Sequence, residues 1–255
     1  MKPQVAFFEF TSCEGCQLTV VDLLQTHPEL LDAIDIVEFR EASSSKADCY
    51  DIAFVEGSCT RPSDEAKLRD IRARAKIVIA LGACADLGGV NAIRNPMNLI
   101  DVRTYVYSDK AEWFDTYPAR PISAVIPIDG AIPGCPIDRE EMAMAVTHLL
   151  QGRLPRLPDY PLCIECKLKE NVCVYQRGGV CLGPITRAGC QAICPSYGAA
   201  CEGCRGLVPH PNIESLKQVL RARGISETDI EAKMAIFLSY QTTQEPEASV
   251  QHGNH

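Results

Sequence analysis

An α/β fold with a mainly parallel sheet is expected for about the first 150 residues, and a small irregular second domain for most of the rest. Three observations lead there. Short β-rich apolar runs alternate with segments of helical period up to about residue 150. Three prolines at 155, 158 and 161 then mark an extended connection over 151–161. Beyond it, eight cysteines fall within 163–204, among glycines and prolines with few large aliphatic side chains. Such a segment buries too little apolar surface to order itself, so an inorganic group is expected to hold it.

Taken in order, strands are expected at 5–10, 35–40, 51–56, 77–81 and 124–128. Between the first two, residues 17–31 carry Leu18, Val21, Leu24 and Leu31 at helical spacing. Further helices are expected at 63–75 and 138–150. The Asn, Pro and Tyr content of 91–121 predicts a long, partly irregular connection, and such connections in compact domains usually serve a function. After the cysteine-rich segment, 212–223 and 226–239 read as two short helices, and the polar stretch 241–255 as a disordered tail. The division is therefore 1–152, 160–240 and the tail.

The chain has 255 residues, enough to bury a core without staples, so size does not explain its fourteen cysteines. The opening Met-Lys-Pro-Gln-Val-Ala-Phe-Phe-Glu-Phe runs straight into a strand, without a basic n-region, apolar h-region or cleavage site. A cytoplasmic, reducing location is expected rather than a secreted disulfide scaffold. No apolar run approaches the roughly 18–20 residues of a membrane helix, so no membrane span of its own is expected. A net charge of −8 without a basic cluster argues against nucleic acid as partner. Regularly spaced thiols in a reducing compartment point instead to metal or redox cofactors.

Cys13 and Cys16 follow the first expected strand, Cys84 the fourth and Cys135 the fifth. These loops lie at strand carboxyl ends, where parallel sheets form their ligand crevices. A Cys-x-x-Cys pair alone fits a thiol redox pair, half a zinc site or two iron–sulfur ligands. Four convergent thiols favour a cluster, with Gly15, Gly82 and Gly134 allowing the backbone to close in. Cys49 and Cys59 fit no spacing and read as small buried hydrophobes. In the second domain Cys163, Cys166, Cys173, Cys181, Cys190, Cys194, Cys201 and Cys204 make two sets of four, the stoichiometry of two 4Fe-4S clusters. Two zinc sites satisfy the same count, although zinc usually draws on paired knuckles, and Cys173, Cys181 and Cys190 stand singly.

Over residues 5 to 206 or so the chain resembles the small, electron-transferring subunit of nickel-iron hydrogenases. It is most similar to the cytoplasmic kind that couples hydrogen to soluble acceptors such as NAD(P), a deazaflavin, polysulfide or a viologen dye. The resemblance rests on Cys13-Glu-Gly-Cys16, Gly82-Ala-Cys84-Ala-Asp-Leu-Gly-Gly89, Gly134-Cys135-Pro136, the run Cys181-Leu-Gly-Pro-Ile-Thr-Arg-Ala-Gly-Cys190, and Cys201-Glu-Gly-Cys204. It implies a flavodoxin-like parallel sheet domain joined to a small iron–sulfur domain, with three 4Fe-4S clusters. The implied ligands are Cys13, Cys16, Cys84 and Cys135 for a proximal cluster. They are Cys163, Cys166, Cys173 and Cys181 for a distal one, and Cys190, Cys194, Cys201 and Cys204 for a medial one. It also implies a large subunit that carries the nickel-iron centre and splits hydrogen, and flavin or iron–sulfur acceptor subunits.

Two departures from the periplasmic members of that family matter. Those often have His where Cys163 stands and Pro where Cys194 stands. Thiolate in place of neutral imidazole adds negative charge and is expected to lower the cluster potential. Glu14, inside the first cysteine loop, and Glu56, at the end of the third strand, are candidates for tuning potential or passing protons. The plainer reading of Glu14 is a solvated acid at a helix start, favoured by the helix dipole. Cys59 leaves open a fifth thiol near the proximal set. Two alternatives stand beside the main reading. One is an iron–sulfur subunit of a complex I-like or membrane-bound hydrogenase assembly, which usually lacks the eight-cysteine domain. The other is a zinc-dependent scaffold protein.

Overall fold

A computed structural model describes residues 2–243. The elements are β1 (Gln4–Glu9), α1 (Gly15–Thr26), α2 (Glu29–Ala33), β2 (Asp35–Phe39), β3 (Tyr50–Glu56), α3 (Pro62–Arg74), β4 (Ala75–Leu81) and α4 (Gly82–Leu87). There follow α5 (Leu99–Tyr107), β5 (Gly130–Ile132), α6 (Arg139–Leu150), α7 (Cys163–Leu168), α8 (Ile193–Ser196), α9 (Ile213–Arg221) and α10 (Glu227–Thr243). The five strands form one parallel sheet in the order β2-β1-β3-β4-β5.

The central strands are apolar on both faces, as a parallel sheet covered on both sides requires. On one face Phe7, Phe54 and Ile79 pack with Val20 and Leu23 of α1 and Met142, Val146 and Leu149 of α6. On the other, Ala6, Phe8, Val55, Val78 and Ala80 meet Leu68 and Ile71 of α3 together with Ile122 and Ile126. Truncating one of these large side chains to Ala costs about 2–5 kcal/mol. The fold thereby brings the carboxyl ends of β1, β3, β4 and β5 to one edge.

Several sequence expectations are corrected. The helix expected over 17–31 is two helices, because Pro28 cannot donate into a continuing helix and disfavours the helical region for His27. Its buried positions are Cys16, Gln17, Val20 and Leu23, while Leu18 is 56% exposed and Leu31 also faces solvent. The strand expected at 124–128 is a turn: a 3-10 helix at Ile122–Ala124 continues with Val125 and Ile126 donating to Ile122 O. Pro127, with no N–H, suits that turn, and the ladder with β4 starts only at Gly130, after Asp129, whose carboxylate accepts from Val78 N at 2.8 Å. The stretch 91–121 is more helical than expected, with 3-10 turns at Gly89–Arg94 and Ser108–Trp113 around α5, which Asn98 caps. Helix α10 runs through Thr243, into the expected tail, and 244–255 lie outside the described residues. Cys49 is exposed rather than buried, whereas Cys59 is buried as expected.

The cysteine-rich segment borrows apolar surface. Leu182 and Ile185 pack with Leu216 and Leu220 of α9 and with Ile230, Met234 and Leu238 of α10. Among the described residues no helix is long and apolar enough to cross a membrane.

Candidate metal centre

The first set of cysteines is built on the common sheet edge. Cys13 lies in the loop after β1, Cys16 in the first turn of α1, Cys84 in α4 directly after β4, and Cys135 in the loop after β5. Glu56, 2% exposed at the end of β3, fixes this geometry: its carboxylate accepts from Cys16 N at 3.2 Å and Gln17 N at 3.0 Å. It thus satisfies two of the free N–H groups at the start of α1 and ties that helix to the sheet. Ala83 N donates to Gly134 O at 2.7 Å, joining the Cys84 and Cys135 loops. Asn91 donates to Thr11 O and to Ser58 Oγ, so the 3-10 turn after α4 is tied to the Cys13 loop.

The backbone is shaped to admit these sulfurs. Gly82 has φ +81°, and a Cβ there would lie 2.3 Å from Cys16 Sγ; one on Gly89 would lie 2.8 Å from Cys84 Sγ. Burial is the main reason the Cys16, Cys84 and Cys135 thiols resist ionisation. It pushes Cys84 up to about 12, with repulsion from Cys135, Cys13 and Glu56 adding to it. Cys16 is raised by burial, then by Glu56, Cys135 and Cys84. Cys135 is raised by burial, then by Cys13 and Glu56. Cys13 therefore bears on Cys84 and Cys135, and Cys84 and Cys135 bear on Cys16. Glu14 takes the left-handed conformation at the start of α1, with φ 62°, and its side chain caps nothing there. Cys59 lies apart from the other thiols in hydrogen bonding, its Sγ 2.9 Å from Tyr117 Oη.

Among the other eight cysteines, burial and neighbouring thiols raise several, and some of these influences cross between the two expected sets. Cys163 is pushed up to about 11 by burial and by Cys181, Cys166 and Cys173. Cys204 is pushed up to about 12 by burial, with Cys190 the next cause and Cys194 and Cys135 smaller ones. Cys201 is raised by burial, with smaller repulsion from Cys181 and Cys204. The two sets touch: Cys201 N donates to Cys181 Sγ at 3.3 Å. Among the described residues no three of His, Cys, Asp or Glu gather as a single metal ion would need.

Three charged residues that bind these loops together were missed by sequence reasoning. Glu165, between Cys163 and Cys166, accepts from Gly189 N at 2.8 Å and Ala192 N at 3.2 Å, on either side of Cys190. Arg205, 1% exposed and next to Cys204, is held by Glu141 of α6. Arg205 alone carried a local signal, an arginine directly after the last cysteine of Cys-Glu-Gly-Cys; its partner is 64 residues away.

A family described as NADH ubiquinone oxidoreductase, 20 Kd subunit, matches residues 13–149. Sulfhydrogenase 2 subunit delta of Pyrococcus furiosus is 36% identical over 92% of this chain and 98% of its own. A subunit of the vhu F420-non-reducing hydrogenase of Methanocaldococcus jannaschii is 34% identical over 80% of this chain and 81% of its own. Among solved structures, a chain of an NAD+-reducing [NiFe]-hydrogenase in the H2-reduced state matches with a TM-score of 0.56 at 26% identity, covering 62% of this chain and 96% of that one.

Proposed function

We propose a function for a chain that belongs to the NADH ubiquinone oxidoreductase 20 Kd subunit family, and within it stands with the small subunits of nickel-iron hydrogenases. It is the electron-transfer subunit of a cytoplasmic hydrogenase, passing electrons between a large subunit that carries the nickel-iron centre and a soluble acceptor module of flavin or iron–sulfur type. In this reading residues 1–152 form the flavodoxin-like domain with the proximal cluster, and 160–240 the domain with the medial and distal ones. Cys13, Cys16, Cys84 and Cys135 would hold the proximal 4Fe-4S group. Cys163, Cys166, Cys173 and Cys181 would hold the distal one, and Cys190, Cys194, Cys201 and Cys204 the medial one. When bound, such clusters exchange single electrons, the chemistry that joins hydrogen oxidation or proton reduction to a soluble carrier.

The observation that carries the reading is the placement of Cys13, Cys16, Cys84 and Cys135 at one carboxyl edge of the sheet, where burial and neighbouring charge push the Cys16, Cys84 and Cys135 thiols above their ordinary range. A cationic metal core relieves both costs, since coordinated thiols ionise outright. The glycine cradle beside Cys16 and Cys84 suits the same group, because any side chain at Gly82 or Gly89 would enter the space of a sulfur. The protein's own part is positional. Glu56 anchors the Cys16 turn, the Ala83–Gly134 hydrogen bond joins two loops, and the core buries Cys16 while Cys13 and Cys135 stay exposed. Leu18, exposed one turn beyond Cys13 and Glu14, lies on the face expected to meet the large subunit. The zinc alternative requires thiolates about 2.3 Å from one ion, and the sulfhydrogenase similarity over nearly the full chain favours the hydrogenase reading over an isolated scaffold.

The test is iron, acid-labile sulfide, zinc and nickel on anaerobically purified protein, alone and with its co-purifying subunits. About twelve iron and about twelve sulfide per chain are expected, with nickel only when the large subunit is present. Zinc near one to three per chain without sulfide would overturn the reading.

A further inference from the structure

Arg205 occupies the joint between the two halves of the chain. Its Nε donates to Ala188 O at 2.7 Å, and its Nη1 to Pro133 O at 2.9 Å. The two terminal nitrogens grip the Glu141 carboxylate side by side, at 2.7 and 2.6 Å. Ala188 stands two residues before Cys190, Pro133 two before Cys135, and Arg205 itself follows Cys204. One guanidinium thus touches the backbone leading into two cysteine loops and adjoins a third cysteine. Room is made for it: Gly189 has φ +116°, and a Cβ there would fall 2.2 Å from Nη2 and 3.1 Å from Glu141 Oε1. The carboxylate of Glu165 reaches the same loop from the other side, through Gly189 N.

A buried ion pair is a poor way to gain stability, because desolvation offsets most of the attraction, and well-packed apolar residues usually do as well. Its advantages are directional grip and a fixed charge in a medium of low dielectric. A planar fork with every donor aimed at a named acceptor supplies the first, which Lys cannot reproduce. The second matters because cluster potentials respond to local charge.

We propose that Arg205, oriented by Glu141, is a positioning residue that locks the Cys190 and Cys204 loops onto the Cys135 loop and raises the potential of the medial cluster by its fixed positive charge. The proposal rests on the cluster reading above. Its consequences have opposite signs for the two partners. Removing the cation lowers the medial potential, and removing the anion leaves the cation uncompensated and raises it.

The experiment is an EPR-monitored potentiometric measurement on the whole purified complex, comparing wild type with Arg205→Gln, Arg205→Lys and Glu141→Gln, each with its iron and sulfide content. In Arg205→Gln one of the three reduction steps is expected to move to lower potential while the other two stay. In Glu141→Gln the same step moves up, and Arg205→Lys returns it most of the way to wild type. The two opposite shifts separate charge from packing, since a purely structural role would move both variants alike. An unmoved step with full iron content, shifts of one sign in both glutamine variants, or loss of a four-iron set while the shifting step is retained would overturn the proposal. Should Arg205→Gln fail to fold, the upward shift in Glu141→Gln carries the test alone, and its absence overturns the proposal. Wild-type protein without iron and sulfide would instead overturn the cluster reading itself.

Discussion

Substituting Gly82 by Ala tests the first cysteine site at its tightest point. Two costs act there. A φ of +81° strains an alanine by about 1–2 kcal/mol. The new Cβ would also lie 2.3 Å from Cys16 Sγ, and since contact between such atoms begins near 3.5 Å, the sulfur or the start of α1 would have to retreat by about 1 Å. Overpacking of this kind costs about 1–3 kcal/mol, so the expected total is about 2–5 kcal/mol. Gly224 supplies the control, with φ +80° and nothing within 4 Å of an added Cβ. Gly224→Ala therefore carries the backbone cost without the clash. The assay is iron and sulfide per chain with the anaerobic urea midpoint for each variant. Gly82→Ala is expected to lose about four of about twelve irons and to unfold at lower urea than Gly224→Ala, which keeps its iron. Equal midpoints with full iron in both would refute the argument that Gly82 makes space for a ligand sulfur.

Other expectations follow from the same geometry. The Asp51 carboxyl is held below its ordinary value by Lys76 Nζ at 2.6 Å, then by Gln4 N at 2.7 Å. The folded protein then binds fewer protons here than the unfolded chain, so this stability is present above the ordinary carboxylate range and lost as pH falls below that range through the lowered folded value. Asp51→Asn should flatten the acid limb of a plot of melting temperature against pH, and an unchanged limb would contradict the assignment. Leu18→Arg, at an exposed site, should leave iron per chain unchanged and abolish co-purification of the nickel-bearing subunit; retained nickel would place the docking face elsewhere. On the proposed ligand set, Cys163→His would exchange a thiolate for a neutral ligand and should raise the potential of the cluster it binds in an EPR-monitored measurement, whereas an unchanged or lowered potential would sink the charge argument.

What the sequence made legible depended on whether the cause was local. The strands β1, β3 and β4 showed as continuous apolar runs because both faces of a parallel sheet are buried, and Cys59 lay hidden in the same way. The Cys13, Cys84 and Cys135 loops showed because each follows a strand end. Strand β5 did not, since it is three residues long and the more apolar run before it, holding Ile122 and Ile126, packs on the sheet as a turn. The face of α1 was misread because the exposed Leu18 fits the apolar period as well as Val20 does, and period alone cannot say which side meets the sheet. Glu56 was visible as an acid ending a strand, yet its grip on Cys16 N and Gln17 N depends on residues 39 and 40 positions away. The Arg205–Glu141 pair lay beyond any local pattern for the same reason.

The ordering of the cysteine-rich segment needs more than metal. Leu182 and Ile185 are fully buried because α9 and α10 return over them, and α10 then reaches the first half of the chain, where Phe237 packs against Ala83 and Leu87 of α4. Helix α4 carries Cys84, and half-buried Cys204 borders the same contact. One C-terminal helix therefore covers loops belonging to both halves, while Arg205 and Glu141 clamp them at a second point. Two separate contacts restrain rotation as well as separation, which a single contact cannot do. Rigid spacing between cysteine sets is thus a property of the assembled chain, and 151–161, which forms no helix or strand, links parts that are fixed to each other elsewhere.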